Sequence, residues 1–586
     1  METLFWTIGT ADSIDIIGAL WRPFLAALVF YYSSYVWVWL SALARVARVL
    51  PAFRPLSLAE AVDILVVIPT MLKTEDDLEG LRDAASTVLG NNYPGHVVLC
   101  MAIDGAGDKP ALVDKLEAWA KTQVSSNATI LVARQHQRAG KNVAVHTAFD
   151  RVKRAVDEGV ISSLPTVFFN MDGDGVLGPR ALERMVAKLV RPGWLFRQRP
   201  MIVASNVLVR REHYWSGWRG LFTVKGQLAL LVAREYMTSI SLARTNRGVL
   251  PVTGVSGALY ATWSYLHEAQ PKHAAFVKSL RRRDVIRWWL GARPPSFADF
   301  TGAPNRAATT GPGDDTFAAW MAMTACWNNG AIDLELPRTP LHALGRLLRS
   351  VLLRRVGYDP HARVYTATPT TVRGLFKQRV RWNSSRVWLY ARFGRLHAFH
   401  WELGAWVTFE LVLKVWIHAF VFIALFLWPF ADRPALWLSL LALGYIASTL
   451  LRGGATLLAM IQDHDVCGHW HKLLALPLSG AYHFFFNTIT TVVGCGKDLL
   501  LFGNNTGFAP EETLAAAGTM RLALAYRITR CAKLVWRALR YGDVPPGWFW
   551  FGFGATRWTA NGFAGWTNVK NKIGRGGVLP AQRDPQ

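Results

Sequence analysis

Asp63-Ile-Leu-Val-Val-Ile-Pro-Thr70 is the stretch on which the fold turns. Its unbroken β-branched run is the form of a strand buried on both faces of a parallel sheet, and the Pro-Thr end opens it into a loop. A helical stretch, Glu75 to Leu89, follows. A second apolar run, Val97-Val-Leu-Cys-Met-Ala-Ile103, then ends abruptly at Asp104-Gly105. Strand, helix, strand is a βαβ unit, whose ligands sit at the carboxyl ends of its strands. A third run, Thr166-Val-Phe-Phe-Asn-Met171, ends in Asp172-Gly-Asp-Gly175. Strand ends therefore deliver carboxylates to one edge, and the expected domain is α/β.

The surrounding chain is unlike that of an ordinary soluble enzyme. It has 586 residues, 51% hydrophobic, with 26 Trp and 65 Lys+Arg against 40 Asp+Glu, a net charge of +25; the mean hydropathy is +0.18. So much apolar area excludes a disordered basic tail. A basic excess then points to nucleic acid or to a membrane whose cytoplasmic flanks collect Lys and Arg. The apolar runs favour the membrane. Phe24 to Ala44 carries no charge and is long enough to span. Asp12, Asp15 and Arg22 precede it while Arg45, Arg48 and Arg54 follow, so the positive-inside bias puts residue 50 onward in the cytoplasm. The run is too long for a signal-peptide core, and no small-residue cleavage site follows it.

Further apolar runs span Leu403 to Phe430 and Ala435 to Leu451, joined by the turn-like Ala431-Asp-Arg-Pro434. A third, Leu473 to about Phe502, is interrupted by Gly494-Cys-Gly-Lys-Asp498, and reads as one span or a re-entrant pair. Glu410, Lys414 and His418 share a helical face, either a self-neutralised ladder or the lining of a polar path. The expected layout is an N-terminal segment 1–54 with its helix at 24–44, a catalytic domain 55–335, basic amphipathic interfacial helices 336–402, transmembrane helices 403–502 and a basic, Trp/Gly-rich segment 503–586. Four crossings from an external N-terminus would leave that basic tail outside, so a re-entrant stretch or a further crossing is expected. The five cysteines are scattered, odd in number and without a CxxC pair, which argues against a disulfide framework.

Four features carry chemistry. Asp172 and Asp174, one residue apart, suit a hard divalent cation, because Mg²⁺ takes one or two carboxylates plus phosphate oxygens. DxD alone is also a common turn. Asp104 ends a neighbouring strand, and Gly140-Lys141-Asn142 lies between them, where a Lys meets phosphate. Gly313-Asp-Asp315 opens a helical run expected over Thr316 to Trp327. Gln378-Arg-Val-Arg-Trp382 lies in a basic, aromatic stretch, where Gln378, Arg381 and Trp382 share a helical face. Alone, that stretch reads as an interfacial helix with Trp at headgroup level.

In order, Asp104, Asp172/Asp174, Asp315 and Gln378-x-x-Arg381-Trp382, followed by apolar helices, resemble the membrane-embedded family-2 glycosyltransferases: the cellulose, chitin, hyaluronan and mannuronan synthases. The resemblance covers roughly residues 60 to 500. It implies a cytosolic GT-A (Rossmann-like) domain inserted between transmembrane helices of the plasma (inner) membrane. The implied donor is a nucleotide-diphosphate sugar, a UDP-sugar or a GDP-sugar, and the metal Mg²⁺ or Mn²⁺. The other implied partners are a nascent polysaccharide, membrane lipid and a secretion apparatus, with no nucleic acid. By the same resemblance Asp104 and Lys141 would hold the nucleotide sugar. Asp172 and Asp174 would meet diphosphate and metal, Asp174 more directly. Asp315 would be the general base, Arg381 would stabilise the leaving diphosphate, and Gln378 and Trp382 would form the acceptor end. Ser256 and Gly257, in Val255-Ser-Gly-Ala258, fall where the family places an acceptor-contacting loop, though a plain turn fits them equally. One base and no paired nucleophile imply inversion.

The cellulose branch's Phe-x-Val-Thr-x-Lys gating loop is not found, and no PilZ module is identified. Asp463-His-Asp-x-Cys467-x-His469-x-His471 matches no zinc spacing and reads as a solvated loop. The aromatic tail from Trp548 to Trp558 reads as an interfacial belt, with an active-site lid as the alternative. The rival enzyme is a non-processive ceramide- or sterol-type glycolipid transferase. A membrane-anchored nucleic-acid binder would explain the charge but leaves the carboxylates without a task.

Overall fold

The computed structural model describes residues 36, 39–43, 53–123, 127–191, 199–210, 218–242, 254–304, 314–328, 331–350, 355–407, 418, 434–462 and 470–500. Among these residues ten strands lie at β1 Ile64–Thr70, β2 Val97–Asp104, β3 Ala128–Gln135, β4 Val167–Met171, β5 Val176–Leu177, β6 Ile202–Val209, β7 Leu259–Trp263, β8 Cys326–Asn328, β9 Ala331–Asp333 and β10 Val356–Thr366. The helices used below are α1 Glu75–Leu89, α2 Pro110–Thr122, α3 Lys141–Asp157, α4 Ala181–Val190, α5 Val224–Tyr236, α6 Asp314–Thr324, α7 Pro340–Ser350, α8 Val372–Phe399, α9 Pro434–Gln462 and α10 Asn487–Leu500.

Eight strands form one mixed sheet in the order β3-β2-β1-β4-β7-β6-β10-β5. β1 runs parallel to β2 and β4, and β2 parallel to β3. β7 is antiparallel to β4 and β6, while β10 is parallel to β6. All of β2 and all of β1 except Thr70 are buried, the reason both strands read as continuous apolar runs. At the start of α1, the Thr74 hydroxyl accepts from Asp77 N and the Asp77 carboxylate accepts from Thr74 N. Glu75, Asp76 and Asp77 also complement the positive end of the helix dipole.

Four expectations change. The 336–402 segment, expected as interfacial helices, contributes the eleven-residue strand β10 to the sheet, between β6 and the two-residue edge strand β5. Its register shifts between Asp359 and Arg363. Pro360 is tolerated because it lies in that bulge, where Asp359 Oδ1 accepts from His361 N and Ala362 N, and Asn206 Nδ2 donates to the Pro360 carbonyl. The helix expected to reach Trp327 ends at Thr324, and Trp327 lies instead in the β8–β9 hairpin, edge-on to Trp263 at 5.2 Å. In the third apolar stretch, Gly494-Cys495-Gly496 lies inside α10 without breaking it, and residues 470–486 ahead of it are also helical. His471, expected in a solvated loop, is buried.

Neither Cys100 nor Cys495 is in a disulfide, both are buried, and burial pushes the Cys100 thiol up to about 12. α8 is anchored just past its end, where buried Glu402 receives both Arg346 and Arg355. Among the described residues no helix is long and apolar enough to cross a membrane. Most of 24–44 and of 403–430, including Glu410 and Lys414, lies outside the described residues, as do 463–469 and 501–586.

Candidate functional site

The carboxyl ends of β1, β2, β4, β6 and β10 all open on one edge, where antiparallel β7 begins. That edge gathers residues distant in sequence. Asp104, the last residue of β2, is buried; its Oδ1 accepts from Ala139 N at 2.8 Å and its Oδ2 from Gly140 N at 3.1 Å. Gly140 has φ of +103°, a conformation that glycine adopts most readily, and it aims the loop's N–H groups at Asp104 while starting α3 at Lys141. Burial pushes the Asp104 carboxyl up, and the two backbone hydrogen bonds oppose it only in part.

Lys141 donates to Asp172 Oδ1 at 2.5 Å and reaches the Gly257 carbonyl at 3.5 Å. A Cβ built on Gly257 would lie 3.4 Å from Asp315 Oδ2 and 3.7 Å from Lys141 Nζ. The base candidate, the lysine and the small-residue loop thus surround one point. Asp315 lies in the first turn of α6, where the helix dipole favours negative charge, and its Oδ1 accepts from Thr316 N at 2.8 Å. Between the paired acids, a Cβ on Gly173 would meet Thr70 Oγ1 at 3.0 Å, so the turn packs directly on the end of β1.

Asp174 is fixed from the far side of the sheet. Its Oδ2 accepts from Thr366 Oγ1 at 2.8 Å and Ala367 N at 3.2 Å, and its carbonyl accepts from Arg210 at 2.7 Å. Its other oxygen, Oδ1, has no partner among these contacts. One oriented carboxylate with a second beside it is a hard donor set suited to Mg²⁺ or Mn²⁺ once phosphate oxygens complete it. It is not a protein-only cage: among the described residues no three His, Cys, Asp or Glu group to hold a metal.

At the expected acceptor end, α8 carries half-buried Gln378, whose Oε1 is buried with no hydrogen-bond partner among the described residues, and exposed Arg381 and Trp382. Trp382 is 40% exposed, and Tyr236 stacks on it with centroids 6.3 Å apart and planes 25° apart. Burial pushes the Tyr236 phenol up to about 12; the Arg379 charge opposes this, and the charges of Glu235 and Asp174 add to it. Ser256 Oγ accepts from Ala258 N at 3.4 Å, a turn-stabilising contact beside Gly257.

Sequence reasoning missed Thr366, Arg210, Glu235, Tyr236 and Arg379. Arg379 alone carried a local signal, being inside the quoted Gln378–Trp382 stretch.

No family model and no curated protein matches the chain. Among solved structures, a mannosyltransferase from Pyrobaculum calidifontis in complex with GDP-mannose and Mn²⁺ aligns at 14% identity, over 79% of this chain and 99% of that one, with a TM-score of 0.40. GalNAc-T7 with UDP, GalNAc and Mn²⁺ aligns at 11% identity, over 60% of this chain and 55% of that one, with a TM-score of 0.25. Both likenesses are too distant to bear on function, which rests on the geometry above.

Proposed function

We propose that the chain is an inverting, metal-dependent glycosyltransferase that moves sugar from a nucleotide-diphosphate donor to a growing β-linked glycan at the plasma (inner) membrane. One observation carries the reading. Lys141, Asp172 and Asp315 meet around Gly257 at the carboxyl edge of the sheet, with Asp174 held beside them. That is a phosphate-facing cation, a pair of hard oxygen donors and a separate carboxylate in one place.

Each residue then has a task its geometry supports. Asp104 uses two of its roughly four lone-pair directions on backbone N–H groups, leaving the others to accept from the nucleotide. Lys141, resting on Asp172, exchanges that partner for donor phosphate. Asp174 and Asp172 would hold a divalent ion, which when bound would supply charge neutralisation for the leaving diphosphate. Asp315 takes the proton from the acceptor hydroxyl at its Oδ2, the oxygen turned toward Gly257. Gly257, lacking a side chain, leaves room there for the acceptor, and Ser256 borders the same loop. Trp382, flat and part-exposed, stacks the terminal sugar, Gln378 orients it, and Arg381 meets the departing phosphate. Among the described residues no second carboxylate is positioned as a nucleophile, which supports a single displacement with inversion.

The test is to incubate purified membranes with a panel of radiolabelled UDP- and GDP-sugars and size the product. A long polymer supports processive synthesis and export. One sugar on a lipid would replace this reading by a ceramide- or sterol-type glycolipid transferase, and no incorporation from any donor would refute both.

A further inference from the structure

The transfer chemistry leaves one buried cluster without a task. Arg379 is only 4% exposed, yet its guanidinium is engaged in several directions. Nη2 donates to Glu235 Oε2 at 2.5 Å, and Nε donates to the Tyr482 hydroxyl at 3.0 Å. That hydroxyl in turn donates to Glu235 Oε2 at 2.8 Å, closing a three-membered ring of contacts. The guanidinium carbon also lies 4.2 Å from the Trp382 ring centroid. Three elements far apart in sequence supply the ring: α5, α8 and the helical run around Tyr482.

Taking an arginine out of water is costly unless its partners are well placed, and replacing such pairs by apolar side chains is often neutral or stabilising. A cluster of this kind is therefore weak evidence for a stability role. What it touches is more telling. Trp382 is 40% exposed, so core packing alone does little to fix its indole. Among the described residues, Arg379 and Tyr236 are placed to set its angle. Tyr236 adjoins Glu235 in the chain, so the Arg379–Glu235 contact and the Tyr236 stack are coupled through one backbone.

We infer that Glu235, Arg379 and Tyr482 form a positioning network that fixes the Trp382 indole as the platform for the acceptor sugar, with Arg379 the residue that acts on the ring. The inference rests on the reading of Trp382 as the acceptor end. It also ties the acceptor platform to the helical segment carrying Tyr482, well after the catalytic sheet in sequence. A shift of that segment would turn the indole without touching the carboxylates.

The experiment uses the full-length protein labelled with 5-fluorotryptophan, its Trp382 fluorine resonance assigned by loss in Trp382→Phe. Arg379→Met keeps the stem and removes the charge, Arg379→Lys keeps the charge without the planar fork, and Tyr482→Phe removes a single hydroxyl. In Arg379→Met the Trp382 resonance is expected to shift while the other tryptophans stay in place. Acceptor KM, measured with a soluble oligosaccharide primer, should rise about tenfold, and donor hydrolysis without acceptor should hold. Arg379→Lys should recover part of both effects, and Tyr482→Phe should move both in the same direction by less. An unmoved Trp382 resonance in Arg379→Met and Tyr482→Phe would overturn the inference. So would a parallel loss of donor hydrolysis and of the other tryptophan resonances, the sign of a merely structural role. If the parent protein transfers no sugar, the functional reading fails, while the fluorine shift still decides whether Arg379 sets the indole.

Discussion

Gly257→Ala tests the site with one methyl group. Gly257 is absent from the positive-φ glycines, so alanine meets no backbone strain. Its Cβ would stand 3.4 Å from Asp315 Oδ2 and 3.7 Å from Lys141 Nζ, ordinary contact distances that require no neighbour to move. Folding should therefore change by no more than about 0.5 kcal/mol, the usual range for substitutions outside a strained or cavity-forming position. Catalysis should respond quite differently. If the acceptor hydroxyl and the sugar carbon occupy the space beside Asp315, the methyl overpacks the transition state. Overpacking costs about 1–3 kcal/mol, which is about 5- to 150-fold in kcat/KM. The assay is sugar incorporation from radiolabelled donor across a range of acceptor, alongside thermal unfolding of the same preparation. Gly105→Ala is the control: Gly105 has φ of +76° and its Cβ would lie 2.6 Å from Arg138 Cγ, so it should lower stability. Normal transfer by Gly257→Ala, with unchanged melting, would refute the claim that substrate fills this space.

Two further outcomes follow from particular contacts. Thr366→Val keeps the strand's β-branched shape but removes the hydroxyl that orients Asp174, so the Mn²⁺ concentration for half-maximal transfer should rise about 10-fold or more, with most activity recovered at saturating metal; an unchanged metal titration would remove Thr366 from the site. Asp104 has its carboxyl raised by burial, so donor affinity should fall, as pH drops, at a value above the ordinary 3.8. For folding the sign is opposite to that of a salt-bridged acid. A raised folded pKa makes a contribution present below the unfolded value and lost as pH rises through the folded one, so ionised Asp104 is held at some cost to stability near neutrality. Asp104→Asn should abolish that acidic limb of donor binding, and its persistence would assign the limb to another group.

The parts of this fold legible in the sequence were those where burial is uniform. β1 and β2 are buried almost end to end, so their composition names them, and α1 matches its expected range of Glu75 to Leu89. β10 was hidden because Asp359-Pro360-His361 looks like a turn; only the Asp359 carboxylate and Asn206, from another strand, reveal why it is a bulge within a strand. The site divides in the same way. Asp104 and Asp172 end strands whose apolar runs point to them. Thr366 and Arg210 meet Asp174 only because β10 and β6 lie side by side, a pairing that local sequence does not encode. Glu235 and Tyr482 meet Arg379 across still larger separations.

The central claim is that Asp315 is the base of a metal-assisted sugar transfer, and the most direct measurement compares the parent protein with Asp315→Asn. Donor binding and sugar incorporation are read together, with Mn²⁺ and with chelator. The account predicts that the variant binds nucleotide sugar as tightly as the parent while transfer falls about 10²- to 10⁴-fold, the contribution of a positioned general base, and that chelator suppresses transfer in the parent. Equal transfer rates in parent and variant, with or without metal, would contradict it.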